Sequence, residues 1–131
     1  MRFGIKAVLS VVVPLLLFVP PVAAEPSDDA QQQLLRGSRA YSRGHFTTAM
    51  RLLRPLADRG EPLAEFDLGL MYELGHGVPR DLPTAHMWFS LAASSPVLLD
   101  MAVANRDRIA AKMSLEQIAE AERLAQQWKP K

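Results

Sequence analysis

Cysteine is absent from the 131-residue chain, which excludes a disulfide framework and a lipid-modified cysteine and leaves stability to packing alone. An excess of charge of one sign is also missing. The 15 Lys and Arg face 14 Asp and Glu, without the clustered cations that hold nucleic acid or an anionic lipid surface. Histidine is confined to His45, His76 and His86. His76 lies between two glycines, where an imidazole is expected to be exposed and flexible; His86 beside Ala85 reads as a partly exposed surface residue. A metal site needs several ligands at matched spacing, and the nearest acids, Asp81 and Glu73, read instead as a helix cap and a solvent-face residue. No Ser-x-x-Lys, Gly-x-Ser-x-Gly or phosphate-cradling glycine loop occurs, and Asp28-Asp29 reads as a helix start. The expectation is a protein with no metal, no cofactor and no catalytic residues.

What is present begins with a leader. Arg2 and Lys6 precede an apolar run over Ala7 to Val22, and Val22-Ala23-Ala24 supplies small residues before the polar start at Glu25. This predicts a secretory signal peptide over residues 1–24, cleaved after Ala24. The alternative is a retained membrane anchor, against which stand the shortness of the run and Pro14, Pro20 and Pro21 within it. Cleavage leaves one small domain over residues 25–131 and removes Arg2 and Lys6, so that the basic residues become one fewer than the 14 acidic ones. A periplasmic or secreted chain, not inserted in a membrane after cleavage, is expected.

The stretch from Ala64 to Ala93 organises the rest. Ala64, Leu68 and Tyr72 recur every fourth position and share one helical stripe, with Gly69 opening room for a neighbouring backbone. Gly75 and Gly77 can take the positive backbone angles that end a helix, and Pro79 keeps the link out of helix. Asp81 caps the next helix by accepting the amide of Thr84, with Pro83 in the first turn. Ala85, Trp88, Phe89 and Ala92 then follow the spacing of a buried stripe.

In order and spacing, Ala64, Leu68-Gly69, Tyr72, Gly75, Gly77-Val78, Asp81, Ala85, Trp88-Phe89 and Ala92-Ala93 closely resemble the Sel-1-like repeat, a relative of the tetratricopeptide repeat. The resemblance covers residues 62–95. It implies an all-α fold, a short α-solenoid of about three antiparallel helix pairs, and a scaffold that holds a protein or peptide. It implies no chemistry. Some repeat proteins of this kind are associated with β-lactam binding or hydrolysis, but those are rich in cysteine, and the association does not carry over to a chain without any.

The remaining helices follow from the same signals. The first is predicted from Ala30 to Arg43 with Leu34, Leu35, Gly37 and Tyr41 inward, and the second from Phe46 to Asp58, where Pro55 should kink or end it. Ala49 and Ala85, Leu52 and Trp88, Leu53 and Phe89, and Ala57 and Ala93 all stand 36 positions apart, whereas Gly37 and Gly69 stand 32 apart. An insertion of four in the Gly75 to Asp81 link accounts for the difference. Capping helices are predicted over 97–128. Pro96 should open the fifth, with Leu98, Met101, Ala102, Asn105 and Ile109 along one stripe. Ser114 and Gln117 have capping-box spacing for the sixth, with Ile118, Ala121, Leu124, Ala125 and Trp128 inward. Its polar outer side would close the stack.

Aligning Gly69 with the small residue of the tetratricopeptide pattern places Leu63, Phe66, Leu70 and Glu73 on the concave side, which makes these four the candidate protein-binding residues. Two readings of this face stay open, a groove for a partner or ordinary core under the fifth helix. Glu61, Glu65, Asp67 and Glu73 read as an acidic, solvated strip. The function expected is an exported scaffold or adaptor, the alternative a small docked subunit or regulator of an envelope complex.

Overall fold

A computed structural model of the chain describes Gly4 and residues 28–131; the signal peptide read over residues 1–24, and the polar lead as far as Ser27, lie outside the described residues. Those residues fold into six helices and no strand: α1 (Asp28–Ser42), α2 (Phe46–Asp58), α3 (Pro62–Leu74), α4 (Leu82–Ala92), α5 (Leu99–Ala110) and α6 (Leu115–Gln127). The fold is all-α, a short helical solenoid.

Local chemistry sets most of the helix ends. The extended Asp81 takes the Thr84 amide on one carboxylate oxygen at 3.1 Å and the Thr84 hydroxyl on the other at 2.8 Å, satisfying donors that the first turn leaves without partners. Ser114 and Gln117 form the reciprocal capping box, at 3.1 and 3.0 Å. Gly75 ends α3 at φ +70°, and the next amide, His76 N–H, returns to the Met71 carbonyl. Pro55 does not end α2, which continues to Asp58 as its predicted span has it; Arg51, whose carbonyl loses its donor, is exposed, so water can supply the missing bond. One expectation is corrected. The fifth helix starts at Leu99 rather than Pro96, because Ser95 to Leu98 close a turn in which the Leu98 amide reaches the Ser95 carbonyl at 3.1 Å, with Pro96 at the position its fixed φ favours.

The two repeats pack by one device. A Cβ on Gly37 would stand 2.6 Å from Leu53 Cδ2, and a Cβ on Gly69 would stand 2.5 Å from Phe89 Cε1. In each pair the glycine of the first helix admits the side chain of the second, so the positions related by 32 and by 36 make equivalent contacts. α3 is central: it packs on α2 and α4 and touches α1. One core cluster joins Leu53, Leu56, Leu68, Met71 and Trp88; a second joins Phe66, Phe89, Ala102 and Ile109. α5 and α6 both pack mainly on α4 rather than on each other. Their inward stripes hold at Ala102, Ile109 and Ala121, all buried, but Met101 is 54% exposed, as Leu35 of α1 is at 56%. Leu35 fails because it lies one helical step, about 100°, from the Leu34 stripe.

The link after α3 is anchored, not loose. The His76 ring stacks on Phe46, centroids 4.1 Å apart and planes 9° apart, and its Nδ1 lies 3.3 Å from the Tyr41 hydroxyl. Gly77, at φ +74°, lies so close to the Phe46 carbonyl that a Cβ would approach its oxygen to 2.9 Å. The expectation of a flexible, exposed His76 is therefore corrected: the four-residue insertion folds back onto the first repeat.

Candidate functional site

The four residues expected on the concave side do not share one environment. Phe66 is 6% exposed, with its ring 5.4 Å from that of Phe89, in a cluster completed by Ala102 and Ile109 of α5; Leu70 packs half-buried on the same cluster. Glu73 is 7% exposed, and its two carboxylate oxygens accept from the Arg108 guanidinium of α5 at 2.5 and 2.9 Å. That paired hydrogen bond raises the Arg108 pKa. Of the two open readings, the structure has the second: side chains of α5 cover this face, and only Leu63 remains exposed. The apolar stripe is thereby satisfied within the chain, and its terminal acid by a cation from the covering helix.

The acidic strip is likewise not a solvated face. Glu65 is 2% exposed, Asp67 8% and Glu73 7%, because a helix enclosed by several neighbours has no outer side. Asp67 accepts the Ser38 hydroxyl of α1 at 2.6 Å; burial raises its pKa and that hydrogen bond partly offsets the rise. Tyr41 is pushed up by burial and, less, by Asp67 and Glu73. Among the described residues Glu65 has neither cation nor hydroxyl. Its Oε2 is fully buried without a hydrogen-bond partner among the described residues, and burial, followed by the charge of Glu61, pushes the carboxyl up to about 7.

His86 is buried, not partly exposed as its sequence position suggests. Its pKa is lowered by burial first and by Arg106 second, which keeps the ring neutral at physiological pH. Trp88 lies in the core as its repeat position predicts, 2% exposed, edge-on to Trp128 at 6.3 Å and beneath the Arg54 guanidinium at 5.7 Å.

Two open surfaces frame this centre. At the start of α3, Pro62 and Leu63 face Ser95, Val97 and Leu98 across a groove of about 310 Å³, and Val97 is 89% exposed. Glu65, Ser90, Ser94 and Trp128 line a second cleft of about 380 Å³. Sequence reasoning missed both, since each joins residues of distant segments.

The family model of the Sel1 repeat matches residues 62–96, that is α3, the anchored link, α4 and the turn after it. Comparison with the curated proteins and with the solved structures gave no match.

Proposed function

We propose that this chain, carrying a Sel1 repeat over residues 62–96, is an exported, non-catalytic interaction module: a periplasmic or secreted scaffold or adaptor that holds a protein or peptide. Sel1 repeats are generally protein–protein interaction modules, which supports the class of function. The observation that carries the location is the groove between Leu63 and Val97. Leu63 is the one candidate binding residue left open to solvent, and Val97 beside it is 89% exposed, an apolar edge that no helix of the described residues covers. Phe66, Leu70 and Glu73 then support this edge from behind instead of touching the partner.

The test is affinity capture from an envelope fraction by the wild-type chain and by Val97→Asp. The expected result is a protein enriched by wild type and lost with the variant, whose melting temperature stays unchanged because residue 97 packs on so little. Equal capture by both would remove this groove. The intact mass of the chain recovered from the same fraction reports export, with a start at Glu25 expected and an intact Met1 opposing it. The second reading, a docked subunit of an envelope complex, is favoured by Leu99 and Met101, 45% and 54% exposed on the same helix that follows Val97. Sedimentation separates the two: an adaptor stays monomeric, whereas a subunit with an uncovered apolar face self-associates.

A further inference from the structure

We propose that His86 is a pH-sensitive latch: at acid pH its protonation loosens α5 from α4 and uncovers the apolar face of α3 that α5 closes. This goes beyond the reading of the chain as an interaction module and does not depend on it, because it concerns how one helix of the fold is held.

The latch follows from where residue 86 stands on α4. One side of that helix, through Ala85, Phe89 and Ala93, packs in the cluster that holds Ala102 and Ile109 of α5. Another side, through Met87 and Leu91, packs in the cluster that holds Leu124 and Trp128 of α6. At about 100° per residue, position 86 falls between these sides, about 20° past Ala93 and about 100° short of Met87. His86 is nevertheless only 7% exposed. Since α5 and α6 pack mainly on α4 and not on each other, the ring stands at the junction they leave. Its Nδ1 is fully buried there without a hydrogen-bond partner among the described residues.

A neutral imidazole can occupy such a place with one nitrogen unmatched. The protonated ring carries N–H on both nitrogens, so a donor on Nδ1 would be sealed without an acceptor, and the charge would lie away from water. Charged groups act on the ring from both covering helices: Arg106 and Asp107 of α5 and Glu122 of α6. From α3, the third helix packed on α4, none does. Arg106 acts more strongly than either acid, and Asp107 is the weakest of the three. On protonation α5 is therefore repelled while α6 is attracted, and α5 is the helix that yields. Its opening works against the Phe66 cluster and the Arg108 ion pair with Glu73, so the open form is a minor one whose share protonation raises. In that form the ring reaches water and regains the ordinary histidine pKa of 6.5, whereas in the closed form it is lower. α5 is thus held fully above that value and progressively less as pH falls below it.

The experiment is amide hydrogen exchange of the full chain, read by NMR at about pH 7.5 and 5.5 and corrected for the intrinsic pH dependence of exchange. The opening constant of α5, measured at Ala102 and Ile109, should rise at the lower pH by more than about twofold and at most about tenfold, the ceiling set by an open-state pKa of 6.5. α2 and α3 should show no such rise, because the raised carboxyl of Glu65 makes the fold as a whole more stable over the same change. His86→Gln does not titrate and should abolish the response of α5; His86→Phe, an apolar ring without a buried polar atom, does the same service if the glutamine variant fails to fold. A rise in α5 below about twofold, an equal rise in α2, or a response that survives in either folded variant would overturn the proposal.

Discussion

Replacing Gly69 with alanine opposes two effects of known size. In a helix interior alanine is favoured over glycine by about 1 kcal/mol, so propensity alone predicts a more stable protein. The new Cβ, however, would lie 2.5, 2.6 and 3.0 Å from three atoms of the Phe89 ring. That ring is fully buried and is backed by Phe66, itself buried, at 5.4 Å, so it cannot swing aside as an exposed side chain would. Overpacking of this kind costs about 1 to 3 kcal/mol, and set against the propensity gain the net expectation is destabilisation by up to about 2 kcal/mol. Urea unfolding followed by circular dichroism reads the difference. Phe89→Leu removes the opposing ring atoms, so in a double-mutant cycle it should relieve much of the Gly69→Ala penalty, which identifies the contact responsible. A Gly69→Ala chain more stable than wild type would show that α3 and α4 are not held at glycine distance and would refute the packing scheme.

Phe66→Ala should destabilise by about 3 to 5 kcal/mol, since the ring is enclosed by α4 and α5; an unchanged melting temperature would mean that α5 does not cover it. Glu65→Gln should change the pH dependence of stability. With the native carboxyl at about 7 and the unfolded one near ~4.3, the folded state binds more protons between these values. Wild-type stability therefore falls as pH rises through that window and stays low above it. Glutamine does not titrate, so the variant should exceed wild type by about 3 to 4 kcal/mol at pH 8, and urea melts should show that advantage shrinking to nothing at acid pH. A difference independent of pH would mean that Glu65 ionises as freely as in water.

The information that sequence alone contained was local. The limits of α2, the Asp81 cap, the Ser114–Gln117 capping box and the Gly75 stop were readable because each depends on residues within a few positions. The repeat was readable too, since Gly37 with Leu53 and Gly69 with Phe89 must recur for two helix pairs to close in the same way. Tertiary structure decided how many neighbours each helix has. Periodicity assigns residues to a face but does not say whether that face meets water, and α3 meets helices on nearly every side. Hence Glu65, Asp67 and Glu73, which on a lone helix form a charged edge, become buried acids with three different fates: one held by Ser38, one by Arg108, and one without a partner among the described residues. The same holds for His76, which local sequence leaves free in a glycine link and Phe46, 30 positions earlier, holds in place by stacking. Contacts between distant segments leave no periodic trace in the chain, so only the assembled packing determines them.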